Sequence, residues 1–303
     1  GLEVTPYPYQ EEMLEALRSE REIKDRHRNL LVAATGTGKT VVAALDYRNL
    51  CDQWKRRPRL LFVAHRKEIL HQARRTFREV LKDADFGELL VDGAEPHRWD
   101  FVFASVQSLR ASRLEQLDPK RFDVVIIDEF HHAQAPTYNA LLGHFQPREL
   151  LGLTATPERG DGENVQKYFD YRVAHELRLW DALRLQLLVP MHYYGIADGT
   201  DLSSLTWIRG KKNYNSRELS EFYIKAGEKR TRFIINELNR RIFDLSEMKA
   251  IGFCVTIAHA KYMATQFQQF GIPARAVTNE LSAAERAQAC LLYTSDAADE
   301  RSS

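Results

Sequence analysis

Short apolar runs recur along the first half of the chain and alternate with longer segments of mixed polarity. Five such runs, rich in Val, Ile, Leu, Phe and Ala, lie at 29–34, 60–64, 101–104, 124–127 and 150–153. Strands that are buried on both faces of a parallel sheet have this pattern. Between two of the runs, Ile69, Ala73, Phe77 and either Val80 or Leu81 recur at helical spacing and predict an amphipathic helix. Strands that alternate with helices predict an α/β domain whose parallel sheet carries helices on both faces.

The pattern changes near residue 176. The predicted elements here are a helix at 176–188, a strand at 191–196, a polar loop at 198–215 and a charged helix at 229–243. Beyond them, strands are predicted at 250–256 and 274–277, and helices at 258–270 and 282–289. A chain of 303 residues is long enough for about two domains. We predict a first α/β domain over residues 1–175 and the start of a second over 176–289.

We interpret residues 290–303 as a segment that does not belong to the natural protein. Residues 290–300 read Cys-Leu-Leu-Tyr-Thr-Ser-Asp-Ala-Ala-Asp-Glu, which resembles the in-frame translation of an adapter used in sequencing libraries. Segments of that kind are excluded from fold reasoning. We therefore expect the natural sequence to end near Ala289 and residues 290–303 to be a non-native tail.

Composition narrows the class of protein. The 43 Lys and Arg residues nearly balance the 42 Asp and Glu residues, and the formal net charge is +1, which still allows a locally positive groove. No apolar run reaches the roughly 18 residues that a membrane-spanning helix needs. Cys51, Cys254 and Cys290 are far apart in the sequence, so neither a disulfide framework nor a zinc site is expected. We predict a cytoplasmic protein with no membrane partner.

A glycine-rich segment follows the first apolar run. Residues 33–40 read Ala-Ala-Thr-Gly-Thr-Gly-Lys-Thr, which matches the phosphate-binding P-loop except that Ala33 replaces the first Gly. Gly36 and Gly38 let backbone N–H groups approach phosphate oxygens, while Lys39 reaches the β- and γ-phosphates and Thr40 offers its hydroxyl to Mg²⁺. The alternative is a glycine-rich turn with a surface lysine. The predicted ATP-binding residues of this segment are Thr35, Gly36, Thr37, Gly38, Lys39 and Thr40.

Two carboxylates end another buried strand. Residues 122–129 read Phe-Asp-Val-Val-Ile-Ile-Asp-Glu, and ligands of open α/β sheets bind at the carboxyl ends of the strands. Asp128 is placed to hold Mg²⁺, and Glu129 is placed to orient and deprotonate an attacking water. A solvated strand end would look the same, but the upstream P-loop favours a catalytic set of Lys39, Asp128 and Glu129.

Further segments lie in the order found in one enzyme family. Asp128-Glu129-Phe130-His131 resembles the DExH box of superfamily 2 helicases. Segments similar to the family's other motifs stand, in the family's order, at 9–10, 64–66, 104–109, 154–157 and 252–256. The chain thus resembles superfamily 2 DEAD/DEAH-box helicases, in particular the bacterial sub-family related to type III restriction subunits. The resemblance implies a RecA-like domain followed by a truncated second one.

The resemblance also implies roles for single residues. Gln10 would read the adenine edge of ATP, although a polar residue at a helix start is the alternative. His131 would couple the acidic box to Thr154 and Thr156. The residues implied to contact the nucleic-acid backbone are Arg66, Ser105, Gln107 and, in the second domain, Thr256. For each of these singly, an ordinary solvated loop explains the residue equally well.

The family pattern places two further motifs after residue 289, one of which supplies an arginine to the γ-phosphate. Such an arginine contributes about 10³–10⁵ in rate, so the resemblance implies an active parent and a poorly active fragment. We expect an ATP- and Mg²⁺-dependent helicase or translocase that acts on DNA in preference to RNA. The alternatives are a DExH RNA helicase and an ATP-gated switch that binds nucleic acid without translocating.

Overall fold

The computed structural model of the chain describes residues 4–130, 135–157, 165–209 and 213–291. The chain divides into two compact units, Gly1–Tyr194 and Gly195–Ser303, and each is described by itself. Among the described residues, no helix combines the length and the apolar character that crossing a membrane requires.

A seven-stranded parallel sheet organises the first unit. Its strands are β1 (Arg28–Ala33), β2 (Leu60–Ala64), β3 (Glu88–Leu90), β4 (Phe101–Ser105), β5 (Val124–Ile127), β6 (Glu149–Thr154) and β7 (His175–Leu177). The order across the sheet is β3-β4-β2-β5-β6-β1-β7. The strands predicted from the five apolar runs are confirmed as β1, β2, β4, β5 and β6, with bounds that differ by at most one residue.

Helices cover both faces of this sheet. They are α1 (Pro8–Glu22), α2 (Lys39–Trp54), α3 (Lys67–Leu81), α4 (Ala111–Leu114), α5 (Ala135–His144) and α6 (Leu179–Arg184). Short 3₁₀ turns lie at Val106–Ser108 and Val165–Phe169. Helix α3 confirms the predicted amphipathic helix, since it buries Leu70, Ala73 and Phe77 on one stripe.

The core consists of two hydrophobic clusters, one on each face of the sheet. Successive residues of β1 alternate between them: Leu31 and Ala33 belong to one cluster, and Leu30 and Val32 belong to the other. Helices α1, α2 and α3 pack into the first cluster, and α5 packs into the second. Because both faces of the central strands are covered, these strands carry apolar residues at nearly every position.

Strand β6 is packed closely against a 3₁₀ turn. A Cβ atom placed on Gly152 would lie 2.3 Å from Cζ of Phe169 and 3.0 Å from Cδ1 of Leu30. Since real Cβ atoms do not approach other atoms this closely, only glycine allows the Phe169 ring to lie against the strand.

Charged side chains are buried at the edge of the sheet where β1 and β6 begin. Arg21 of α1 donates to both carboxylate oxygens of Asp46 on α2, at 2.6 and 2.7 Å, and to Glu149 at 2.9 Å. His27 contacts the other oxygen of Glu149 at 2.7 Å. These bonds fix α1 and α2 to the start of β6.

The end of the first unit differs from the prediction. The helix predicted at 176–188 is replaced by β7, which pairs with β1 through Leu31 and His175, and by the short helix α6. The first unit extends to Tyr194, whereas the predicted domain boundary lies at 175. Residues 191–196 form no strand. The three residues of β7 are too few to produce a recognisable strand pattern.

The described part of the second unit is mainly helical. It contains α7 (Ser216–Asn239), α8 (Ile257–Gln269) and α9 (Ala283–Leu291), with a two-residue antiparallel ladder between β8 (Trp207–Ile208) and β9 (Asn213–Tyr214). Helix α7 is kinked at Gly227, whose φ is 61°. Helices thus confirm the predicted pattern at 258–270 and 282–289, and α9 continues across the predicted end at Ala289.

The strands predicted at 250–256 and 274–277 are absent from the described second unit. A strand is defined by hydrogen bonds to a neighbouring strand, and neither segment has one. The side chains of Ile251 and Phe253 are correspondingly 80% and 96% exposed. A second RecA-like domain therefore stays a prediction, and residues 292–303 of the expected tail lie outside the described residues.

Candidate active site

The sheet brings the predicted site residues of the first unit to one edge. The carboxyl ends of β4, β2, β5, β6 and β1 stand side by side in that order, and each leads into a loop or helix that carries predicted residues. Ser105 and Thr154 are the last residues of β4 and β6. The others follow the strands, and they are Gln107 after β4, Arg66 after β2, Asp128 and Glu129 after β5, Thr156 after β6, and 35–40 after β1. His131 lies outside the described residues. Along this edge, Ser105 and Gln107 lie on one side of the acidic pair and the phosphate-binding segment lies on the other, with Arg66 next to the acidic pair.

The P-loop connects β1 directly to α2. Gly36 and Gly38 have φ values of 90° and 80°, a left-handed conformation that glycine adopts at little cost. The Thr37 hydroxyl donates to the Ala34 carbonyl at 2.7 Å and closes the turn from within. Thr35 is exposed and Thr40 is partly buried at the start of α2. The segment thus has the strand-loop-helix geometry that can hold phosphate oxygens at a helix N-terminus.

Lys39 links the P-loop to the acidic pair. Its ammonium group donates to the Ala33 carbonyl at 3.0 Å and lies 3.9 Å from Oε1 of Glu129. The side chain of Lys39 is only 8% exposed. Strands β1 and β5 are separated by β6 in the sheet, so this contact joins loops that come from well-separated parts of the sequence.

Gln10 lies against the P-loop rather than in solvent. It is 3% exposed, its Oε1 accepts from the Tyr7 N–H at 3.0 Å, and its Nε2 donates to the Thr37 carbonyl at 3.3 Å. The Tyr9 hydroxyl donates to the same carbonyl at 3.1 Å. A Cβ on Gly38 would lie 2.6 Å from Nε2 of Gln10. The structure therefore shows contact between Gln10 and the P-loop, and the predicted reading of adenine stays a prediction.

The acidic pair combines burial with a strained backbone. Asp128 is 4% exposed, and its Oδ1 accepts from the Glu129 N–H at 2.8 Å. Burial, reinforced by the charge of Glu129, raises the pKa of Asp128 to about 6, against the opposing effects of that N–H and of Lys39. Glu129 has a φ of 49°, an uncommon conformation for a non-glycine residue and one often found at functional sites.

The oxygen atoms at this site suit a magnesium ion. Thr40 offers a hydroxyl and Asp128 a carboxylate, and hard oxygen ligands are those that Mg²⁺ prefers. The burial of Asp128 supports this assignment independently, because a carboxylate that has lost its hydration gains most from a nearby cation. The binding of the ion by Thr40 and Asp128 stays a prediction.

The end of β6 forms a tight turn between the P-loop after β1 and the acidic pair after β5. The Thr154 hydroxyl accepts from the Thr156 N–H at 3.2 Å and donates to the Thr156 carbonyl at 2.8 Å. A cavity of about 330 Å³ is lined by residues of four strand ends, namely Thr35, His65, Arg66, Ile69, Glu129, Ala155 and Thr156. The cavity places the turn beside both Glu129 and Arg66, which is where a coupling segment would have to lie.

The predicted nucleic-acid contacts differ in accessibility. Ser105 is 5% exposed, and its hydroxyl accepts from the Ser108 N–H at 3.2 Å, so it caps a 3₁₀ turn. Gln107 and Arg66 are exposed, and Arg66 donates from Nε to Nε2 of His65 at 3.1 Å. Gln107 and Arg66 are therefore the more available of the three for a phosphate.

Thr256 belongs to the second unit. Its hydroxyl accepts from the His259 N–H at 3.2 Å, which makes it the N-cap of α8, and it lies 2.6 Å from the Ser220 hydroxyl. The structure thus gives Thr256 a helix-capping role, and its contact with nucleic acid stays a prediction.

Some residues near the site were not among the predicted ones. The Tyr9 hydroxyl contacts the P-loop, and Arg110 and Arg113 line a polar groove beside Gln107 together with Glu95. The two arginines follow the 104–109 segment directly, so their position in the sequence was an available signal. Glu95 gave no such signal, because it comes from the loop before β4.

The chain is similar to several known proteins. Residues 3–159 match the family model described as "Type III restriction enzyme, res subunit". A Schizosaccharomyces pombe protein named as a mitochondrial ATP-dependent helicase, irc3, is 29% identical over 291 residues, which cover 92% of this chain and 46% of that protein. The Escherichia coli type I restriction enzyme EcoAI endonuclease subunit is 25% identical over 256 residues, which cover 78% of this chain and 31% of that protein.

A solved structure shows the same fold. A fragment of an HsdR subunit of a type I restriction enzyme from Vibrio vulnificus YJ016 superposes with a TM-score of 0.59 at 21% identity, covering 89% of this chain and 46% of that one. The chain spans less than half the length of each of the two curated relatives described above.

Proposed function

Because the chain belongs to the family of type III restriction enzyme res subunits, we propose that it is the ATP-binding part of a helicase or translocase that moves along DNA. The resemblance to superfamily 2 helicases noted from the sequence is confirmed by this family match and by the helicase and restriction-subunit relatives. The relatives named as restriction subunits support DNA rather than RNA as the substrate.

The contact between Lys39 and Glu129 carries the proposal. A P-loop lysine and a carboxylate from another strand end lie 3.9 Å apart, so a phosphate-binding cation and a candidate base stand at one site. Lys39 would leave the Ala33 carbonyl and bind the β- and γ-phosphates, while Glu129 would orient a water molecule and take its proton. Mg²⁺, when bound, would neutralise charge on the phosphates.

The turn at Thr154 and Thr156 supports coupling between ATP and nucleic acid. It borders the same 330 Å³ cavity as Glu129 and Arg66. A movement of Glu129 would therefore occur next to both the turn and Arg66. Arg66 and Gln107 would bind backbone phosphates, and contacts to phosphates carry no direct sequence information. We therefore expect movement along the backbone without base preference.

Titration of the chain with a fluorescent ATP analogue tests the nucleotide half of the proposal. We expect Lys39→Ala to abolish binding in the presence of Mg²⁺, because the variant loses the ammonium group that would bind the β- and γ-phosphates. Lys120→Ala is the matched control, since Lys120 is exposed in the loop before β5 and its replacement changes net charge equally. Unchanged binding by Lys39→Ala would contradict the proposal.

Stimulation of ATP hydrolysis tests the nucleic-acid half. In a version of the protein that carries the two further motifs of the family pattern, we expect double-stranded or single-stranded DNA to stimulate hydrolysis more than single-stranded RNA does. DNA affinity should fall steeply with salt. Stronger stimulation by RNA would instead identify an RNA helicase. Hydrolysis without displacement of a bound strand would identify an ATP-gated switch.

A further inference from the structure

A polar groove of about 740 Å³ opens beside the carboxyl ends of β3 and β4. One wall carries neutral and basic side chains from the end of β4 and the residues after it, namely Ser105, Gln107, Ser108, Arg110, Arg113 and Gln116. The other wall is the loop at 91–100, and it presents the carboxylates of Asp92 and Glu95. A groove for a nucleic-acid backbone is expected to be basic, so the two carboxylates need an explanation.

Both carboxylates are paired with cations beside the groove. Glu95 forms a two-pronged ion pair with Arg113, in which both distances are 2.6 Å. Asp92 accepts from the ammonium group of Lys67 at 2.9 Å. An arginine holds a carboxylate and a phosphate through the same pair of parallel N–H···O bonds. Glu95 therefore occupies the position on Arg113 that a phosphate would take.

The acidic loop is held in place by its own backbone bonds. The carboxylate of Glu88 accepts from the N–H groups of His97 and Arg98 at 2.6 and 2.9 Å. The loop turns at Asp92 and Gly93, which both have positive φ, and the Ala94 N–H donates to the Val91 carbonyl at 2.9 Å. The hydrogen bonds from Arg113 lower the pKa of Glu95, so this carboxylate stays ionised at neutral pH.

We propose that Glu95 and Asp92 are built-in competitors for phosphate, which cover Arg113 and Lys67 until a nucleic-acid backbone displaces them. This inference rests on the proposed function, because it concerns the regulation of the same nucleic-acid site. Ion pairs that are this exposed, with Arg113 at 33% and Glu95 at 54%, hold together weakly in water. A polyanion that contacts several groove residues at once can therefore open them, whereas an isolated phosphate gains too little to do so.

The expected effect of removing one competitor follows from the ion pair that the backbone no longer has to break. Because the Arg113–Glu95 pair is two-pronged, its strength should lie at the upper end for exposed pairs, about fivefold in an equilibrium constant. Arg113 contacts the same phosphate in both complexes, so the slope of log K against log salt should not change.

The test is anisotropy titration of labelled oligo-thymidine by the full chain over a series of salt concentrations. We expect Glu95→Gln to bind about fivefold more tightly with an unchanged salt slope, and Asp92→Asn to act in the same direction. Arg113→Ala should bind more weakly, and adding Glu95→Gln to Arg113→Ala should change nothing further. Glu79→Gln is the matched control, because it removes the same charge from the exposed Arg75–Glu79 pair at the far end of α3.

The outcomes separate this inference from the proposed function. If the wild-type chain binds with a steep salt dependence but Glu95→Gln and Asp92→Asn both bind as it does, the competitor role is wrong and the nucleic-acid site stands. If Glu79→Gln strengthens binding as much as Glu95→Gln, the effect is one of net charge and the inference is also overturned. If neither the wild type nor Glu95→Gln binds, the proposed nucleic-acid function fails as well.

Discussion

Replacing Arg21 should destabilise the first unit more than replacing any exposed arginine. Arg21 is 8% exposed and contacts Asp46 and Glu149, which are 5% and 3% exposed. Burial alone would lower the pKa of Arg21, but Asp46 and Glu149 outweigh burial and raise it. In Arg21→Met, the unbranched side chain fills the space, and both carboxylates lose their cation. Breaking a buried pair in this way costs about 3–5 kcal/mol.

The measurement is urea-induced unfolding followed by far-ultraviolet circular dichroism, with Arg18→Met as the control. Arg18 lies on the same helix and pairs with Glu15, but the two side chains are 62% and 59% exposed, so the control should lose less than about 1 kcal/mol. A loss for Arg21→Met that equals the control would refute the assignment of a buried network.

The pH dependence of the same variant gives a second check. Burial raises the pKa of Glu149 despite the opposing effects of Arg21 and His27. Without Arg21 this pKa should rise further, so Glu149 takes up a proton in the folded state as the pH falls. Since protonation removes the uncompensated charge, the destabilisation of Arg21→Met should be smaller at pH 5 than at pH 8.

Three further predictions concern the site and the strand beside it. Glu129→Gln should keep affinity for a fluorescent ATP analogue and lose steady-state hydrolysis; retained turnover would remove Glu129 as the base. The pKa of Asp128 is raised to about 6, so protons should compete with Mg²⁺ for this carboxylate below that pH. Mg²⁺-dependent binding of the analogue should therefore weaken from pH 7 to pH 5. Binding that does not change with pH would contradict this. Gly152→Ala should lower the free energy of unfolding by about 1–3 kcal/mol, because its Cβ meets Phe169. Gly143→Ala is the control and should not lower it, because its Cβ meets nothing within 4 Å. Equal effects of the two variants would show that the contact with Phe169 does not require glycine at position 152.

The central strands were predictable because their environment leaves a local signal. A strand buried on both faces needs apolar residues at nearly every position, and β2 and β5 were located to the residue for that reason. Edge strands do not have this requirement. β3 and β7 contain three residues each and are only partly buried, so β3 was missed and β7 was assigned to a helix.

The chemistry of the strand ends was equally local. The P-loop and the Asp128-Glu129 pair each consist of neighbouring residues, and parallel strands place all their carboxyl ends at one edge. Their location at one edge was therefore predictable, whereas their approach to within 3.9 Å depends on the strand order. The Gln10 contact with Thr37 was not, because it spans 27 residues and depends on how α1 packs.

The electrostatic partners could not be obtained from the sequence. Arg21 and Glu149 are separated by 128 residues, and Arg113 and Glu95 by 18, so no periodic pattern connects them. The net charge of the chain does not reveal these pairs either. The buried network around Arg21 and the groove beside Arg113 each pair opposite charges, so each contributes little to the net charge. In the first case the pairing stabilises the fold, and in the second it limits access to the basic side chains. A buried ion pair stabilises the fold, whereas an exposed one can limit access to a basic side chain. The exposure of a pair is known only from the structure, because it depends on how the helices and strands pack.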